Sequence, residues 1–440
     1  MIRTFVVKNL LGIRRNYWFW PGLLTALGLV CGFWMPFIDV ILGSDWLKDT
    51  GLVAGVMATG ARDVLSTIAT AVLGVAGVTY SITIVAVSYA SGNFGPRLVG
   101  NFMRDRLNQV VLGFFLATFV YSLMVLRSVH DGSDGGVAFV PQISLLIAVG
   151  LAVISVGALI VFIHHVPESI DIMNLAAEVG ETLRSSVIAL IDEEDAEHQS
   201  IRRIEPSTPR SERQSVSASA SGYLQFIDLA TLRSIAEAND LSITVLVGPG
   251  HFVTPDDEIF EVRHGGPLSE TVAAEIASCV VLGRRRTGSQ DLSFHVDQLV
   301  EMVGRALSPS MNDPHTAMIC MDWLRAGLAE YARRAPQPPV PGDGPLIYKR
   351  ITFEELLERA FGRSRQYVSS DRNVTLHVLE ILAALAAISS TAERAELLRA
   401  EMRTLAQSAG EQLAESAARA EVVDRLRSAL VRCGDPAETA

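Results

Sequence analysis

Apolar and polar positions divide this chain sharply. Four long apolar runs crowd its first 165 residues, at 18–42, 64–91, 107–126 and 143–163, before the sequence turns polar. A bilayer core takes about 20 apolar residues in helical form, because lipid offers the backbone no hydrogen-bond partner. Asp39 is the single charge inside the four runs. One such helix can hide in a soluble core. Four in succession predict a membrane domain over 17–165.

The pattern on either side of the runs is amphipathic. Ile2, Phe5, Val6 and Ile13 oppose Arg3, Lys8, Arg14 and Arg15, which predicts an interfacial helix over 1–16. After the fourth run, Ile170, Met173, Ala176, Leu183, Val187 and Leu190 recur at steps of three and four, with Gly180 in the one gap. This predicts an exit helix over 166–191. Residues 192–221 are acidic and rich in Ser and Arg, with almost no aliphatic side chains, and read as a flexible insertion.

Residues 222–335 read as a cytoplasmic α+β domain. Strands are predicted at 223–227, 243–247 and 259–262, and helices at 229–238, 272–282, 292–307 and 314–331. Asn312 or Asp313 before Pro314 has the form of a helix N-cap. A proline-rich linker at 336–346 precedes a C-terminal helical region, 347–440. There Leu397, Leu398, Met402, Leu405 and Leu413 suit packing on a partner helix. The stretch 247–253, with Glu258 and Ile259, resembles half of a biotinyl/lipoyl-type barrel, without the lysine that such carriers modify. The fold expected is mainly α, a four-helix transmembrane half followed by this small β element and further helices.

Charge gives the orientation. Arg3, Lys8, Arg14 and Arg15 precede the first run, and Arg97, Arg104 and Arg106 lie between the second and third, whereas the other two connections are poorer in cations. The positive-inside rule places both termini in the cytoplasm, and Tyr17, Trp18, Trp20 and Trp46 suit the two interfaces. The first run is too long for a cleaved signal peptide and lacks a small-residue cleavage site. Up to residue 170 there are ten Lys or Arg against eight Asp or Glu; the remainder therefore carries −13 of the net −11. So acidic a surface repels nucleic acid and anionic lipid. The four cysteines show no disulfide or zinc spacing, consistent with a reducing compartment.

Chemistry is sparse. Thr67, Thr70, Gly74, Gly77, Ser81 and Ser88 share one face of the second run, interrupted at Ile84. Small residues let helices approach closely, and hydroxyls bond across them; the same face lining a pore would hydrate a permeating species. Both readings fit the pattern. The segment 93–109 that follows reads as an amphipathic connection at the membrane surface. His165 and Glu168, with Asp171, fall within reach of one helix face and are weak candidates for a divalent metal; so are Asp291, His295 and Asp297, and Asp313 with His315. Arg284, Arg285 and Arg286 form the basic cluster of an acidic domain. Joined by Arg305 and Asn312, they are candidates for an anion site, a salt-bridge network or a subunit interface. No nucleophile elbow, phosphate loop, zinc-protease motif or dinucleotide fingerprint occurs, so neither an enzyme nor a cofactor is implied. Asp39 alone, at the end of its run, is a poor basis for a proton relay.

Several motifs combine into a resemblance. Ala61-Arg62 with the hydroxyl-rich second run, Ser91 to Leu98, Asn101 to Arg106, and Phe162 to His165 belong together. So do Ser221-Gly222-Tyr223, Arg286-Thr287 with Gln290-Asp291, and Arg305 to Pro309 through Asn312-Asp313-Pro314. The chain resembles, over nearly its whole length, the bacterial membrane proteins grouped as domain of unknown function 2254. Gly92 and Gly95 depart from that pattern. So does His295, where a glycine is common, which weakens a metal role there. The resemblance implies a bacterial inner-membrane protein and supplies no activity. From the residues, the expectation is a homo-oligomeric channel or gated pore with a cytoplasmic regulatory domain. The alternative is a non-conducting scaffold or sensor that binds a cytoplasmic protein partner or an anion.

Overall fold

A computed structural model describes residues 17–43, 57–94, 105–131, 139–201, 212–265, 268–335 and 345–434. The expected interfacial helix 1–16, most of the 93–109 connection, Trp46 and most of the proline-rich linker lie outside them. The chain divides into two compact units, Met1–Asp171 and Ile172–Ala440.

The first unit holds α1 (Phe19–Leu42), α2 (Ala58–Phe94), α3 (Arg106–Ser128) and α4 (Gln142–Ile170). Each is long and apolar enough to cross a membrane. The outward faces of α1 and α4 are apolar, with Phe33, Trp34, Val153 and Ile160 among the exposed side chains, as a lipid-facing surface requires. α3 is the central helix and packs on the other three. α1 meets it through a small-residue seam. A Cβ added at Gly28 would lie 2.5 Å from the Ala117 carbonyl oxygen, and one at Gly32 would lie 2.8 Å from Met124 Cβ. Gly113 answers from α3, against the backbone of Trp20 and Pro21. This is the Gly-x-x-x-Gly spacing through which membrane helices pack backbone to backbone.

The second unit opens with α5 (Ile172–Ile201), which packs on α9 (Pro314–Arg333). Gly180, the gap in the apolar periodicity, lies under the Trp323 ring. Two sheets follow, built from β1 (Glu212–Ser217), β2 (Gly222–Ile227), β3 (Ser242–Val245), β4 (Phe252–Val253), β5 (Glu258–His264), β6 (Val280–Gly283) and β7 (Leu346–Tyr348). Their orders are β1-β5-β3-β7 and β4-β2-β6, with β3 and β7 parallel and the other pairs antiparallel. Leu224, Leu232, Ile243, Phe260 and Ile276 fill the core between the sheets, α6 (Leu229–Ala238) and α7 (Glu270–Ser278). The helical part comprises α8 (Leu292–Ala306), α9, α10 (Phe353–Leu357) with a π-helical turn at Glu358–Gly362, α11 (Arg365–Val368), α12 (Arg372–Ile388), α13 (Ala392–Gln412) and α14 (Ser416–Arg432).

Three expectations need correcting. The stretch 192–221 is not without regular structure: α5 runs on to Ile201, and β1 pairs with β5. The helix predicted at 272–282 stops at Ser278, because Val280 and Val281 are β-branched and pair with β2. Leu346–Tyr348, read as linker and helix, adds a parallel strand to β3. The amphipathic stretch from 397 to 413 finds its partner helix inside the chain: Leu398, Met402, Leu405 and Leu413 are buried, and α13 packs on α12.

Candidate functional site

The second span carries two seams. Ala61, Leu65, Ala69, Val72, Ala76, Thr79, Thr83, Ala86 and Ala90 are buried and recur at steps of four or three. They are the face that α2 turns to its own bundle, against α3 and α4. Thr67, Gly74, Ser81 and Ser88 sit two residues beyond members of that seam, about 200° around the helix. All six residues of the hydroxyl and glycine stripe are exposed. A Cβ added at Gly74 or Gly77 would meet nothing within 4 Å. The stripe therefore faces away from the described chain, with open space at both glycines. Thr67 Oγ1 donates to the Asp63 carbonyl at 2.7 Å and Ser81 Oγ to the Gly77 carbonyl at 2.9 Å. Each oxygen keeps acceptor capacity toward the outside.

Several polar side chains of the first unit act as structural fasteners that the sequence did not reveal. Asp39 is buried and accepts hydrogen bonds at the start of α4. Arg62 holds Asp131 at 3.0 Å and the Val129 carbonyl at 3.0 Å, tying α2 to the end of α3. Asp105 caps α3 through the Leu107 N–H at 3.0 Å, and its second oxygen lies 2.7 Å from His165 Nε2. His165 thus meets Asp105 rather than Glu168, which lies 3.3 Å from His164 instead. Among the described residues no group of three or more His, Cys, Asp or Glu side chains converges on a metal position.

The arginine cluster comes apart. Arg286 donates to Asp291 Oδ2 at 2.6 Å and to Asp297 Oδ2 at 2.7 Å. Arg359 donates to the same Asp297, at 2.7 and 2.9 Å. Burial would raise the Asp297 pKa, but hydrogen bonds from Arg359 and Arg286 outweigh it and hold the carboxyl below its ordinary value. Arg305 pairs with Glu301 one turn back, and Asn312 occupies a left-handed turn before α9. Asp313 then caps α9 by accepting from the Thr316 N–H and hydroxyl. Only Arg284 and Arg285 remain as exposed cations of the original set. His295 is buried against Gly288, its Nε2 3.2 Å from that carbonyl. Gln290 completes β2 as a strand would: its amide accepts from the Ile227 N–H and donates to the Ile227 carbonyl.

The sequence matches the family described as Predicted membrane protein (DUF2254) over residues 14–384. The chain belongs to this family. Its curated relatives include uncharacterized proteins of Mycobacterium bovis and Mycobacterium tuberculosis. Each is 30% identical over 414 residues, covering 92% of this chain and 78% of the relative. No solved structure matches. Among the motif residues that carry the resemblance, Arg62, Asp105, His165, Arg286, Gln290, Asp291 and Asp313 all make contacts that hold the fold of this chain. Arg62 and Asp105 are the clearest cases, each fastening a helix end.

Proposed function

We propose that this DUF2254 protein forms a homo-oligomeric channel or gated pore in the bacterial inner membrane, its termini and second unit in the cytoplasm. One observation carries the reading: α2 turns a face of hydroxyls and glycines away from its own bundle. Facing lipid, such a face gains less than the Leu, Val and Phe that cover the outer faces of α1 and α4. Facing copies of itself, it supplies close approach and a hydroxylated lining. The β element likened to half a biotinyl/lipoyl-type barrel contains no lysine at 222–264 and is read as structural. A non-conducting scaffold or sensor is the second reading, and the exposed Arg284 and Arg285 favour it as a partner contact.

The test is conductance of the purified oligomer in planar bilayers, under voltage, tension and varied ions. Discrete openings that Gly74→Phe or Gly77→Phe reduces are expected. Silent bilayers containing verified oligomer would overturn the pore.

A further inference from the structure

The three-stranded sheet of the second unit exposes an unusual outer face. Its order β4-β2-β6 sets Phe252, Tyr223 and Gly283 in one row across the strands. Phe252 and Tyr223 stack edge to face at 5.2 Å between ring centroids. Phe252 is 57% exposed and Phe226, further along β2, 40% exposed. Their strand neighbours Leu224, Ile227 and Val253 are buried in the core, so the aromatics occupy the opposite face.

The two edges of this sheet carry opposite charge. β6 runs directly into Arg284 and Arg285, both exposed. β4 leads into the turn at 254–257, which holds Asp256, and then into Glu258, the first residue of β5 in the other sheet; both are exposed. Asp257 is occupied within that turn, accepting from Thr254. No described residue forms an ion pair or side-chain hydrogen bond with Arg284, Arg285, Asp256 or Glu258. β4 and β6 flank β2 with strands about 4.8 Å apart, so the strand ends that lead into these charges lie roughly 10 Å apart across the aromatic row.

We propose that this face is a docking surface for a second copy of the chain, paired about a two-fold axis near the middle strand. With the two-fold axis running along the middle strand, each edge of one sheet lies over the opposite edge of its copy, and each contact occurs twice. Turned face to face, two such sheets set Arg284 and Arg285 against Asp256 and Glu258 twice, and cover the exposed aromatics between them. The charge complementarity is internal to the unit and requires no other partner. A patch this small falls short of the roughly 800 Å² per partner of a stable soluble complex. Confinement of both copies to one bilayer supplies the effective concentration that makes it sufficient. The pairing does not depend on whether the second span conducts.

The experiment uses the full chain in membranes, as two differently tagged copies, with benzoylphenylalanine at position 252 for photo-crosslinking. A crosslinked dimer carrying both tags is expected. Arg284→Glu with Arg285→Glu should cut its yield about tenfold, and Asp256→Arg with Glu258→Arg should do the same independently. Combining all four reversals should restore it. Absence of the two-tag product in the parent chain, yields that the reversals do not move, or failure of the combined variant to recover would each overturn the proposal. None of these readouts involves conductance, so the pore reading stands or falls separately.

Discussion

Asp39 of α1 caps α4 through Ser144. The carboxylate accepts from the Ile143 N–H at 2.7 Å, from the Ser144 N–H at 2.9 Å, and from the Ser144 hydroxyl. Pro141 precedes α4 and offers no side-chain cap, so the first-turn donors would otherwise face a buried space unpaired. A negative charge there also complements the helix dipole. Asp39→Ala should therefore destabilise the detergent-solubilised protein by about 2 kcal/mol or more. Ser144→Ala, which keeps both backbone bonds, should cost about 1 kcal/mol. Thermal melting followed by tryptophan fluorescence distinguishes them. An Asp39→Ala protein that melts with the parent would remove the capping role.

The glycines of the first two spans should respond in opposite directions. Gly28→Val and Gly32→Val drive a side chain into α3, where the nearest atoms include its backbone, and should cost about 1–3 kcal/mol. Gly74→Ala and Gly77→Ala meet open space within the chain and replace a poor helix former, so the monomer fold should hold or gain up to about 1 kcal/mol. Melting the four variants at a concentration that keeps the protein monomeric checks the contrast. Equal losses at Gly74 and Gly28 would mean that the outward seam is packed after all.

The membrane half was legible because its signal is cumulative. Four apolar runs of span length leave few alternatives, and the helices found at 19–42, 58–94, 106–128 and 142–170 overlap every run. Which face of α2 packs was not legible. Its two seams both recur at steps of three or four and both use small residues, and only the neighbouring helices decide between them. Gly28 and Gly32 escaped notice for the same reason, set among Leu, Val and Cys with no polar neighbour to mark the seam. In the second unit, Ile243 and Phe260 announced their strands by hydrophobicity, whereas β1 is Glu-Arg-Gln-Ser-Val-Ser and forms only by pairing with β5. Long-range pairing also explains the arginines: nothing local shows that Arg286 and Arg359 share Asp297.

Asp297 fastens the 284–291 loop to the π-helical turn. Removing it as Asp297→Ala takes this carboxylate from Arg359 while Arg286 keeps Asp291, a loss of about 3 kcal/mol. Its pH signature has a definite sign. The folded-state pKa lies below the ordinary 3.8, so the contribution is complete above that value and fades as pH falls through the folded value. Acid titration of the folded chain should show the parent losing stability below about pH 4 by this route. Asp297→Asn, less stable at neutral pH, should lack that component. Parallel acid profiles for the two proteins would exclude the linkage.

His295 should act in a different window. Burial lowers its pKa from the ordinary 6.5, and its hydrogen bond to the Gly288 carbonyl only partly offsets that. The unfolded chain then takes up a proton at a pH where the folded chain does not. Stability is whole above about pH 6.5, erodes as pH falls toward the folded value, and suffers no further loss from this residue below it. The parent should lose more stability than His295→Gln between pH 7 and 5. Urea unfolding at the two pH values, monitored by circular dichroism of the second unit's helices, gives both differences directly. A parent profile as flat as that of His295→Gln would show that the imidazole titrates alike in the folded and unfolded chains, and would remove the effect of burial.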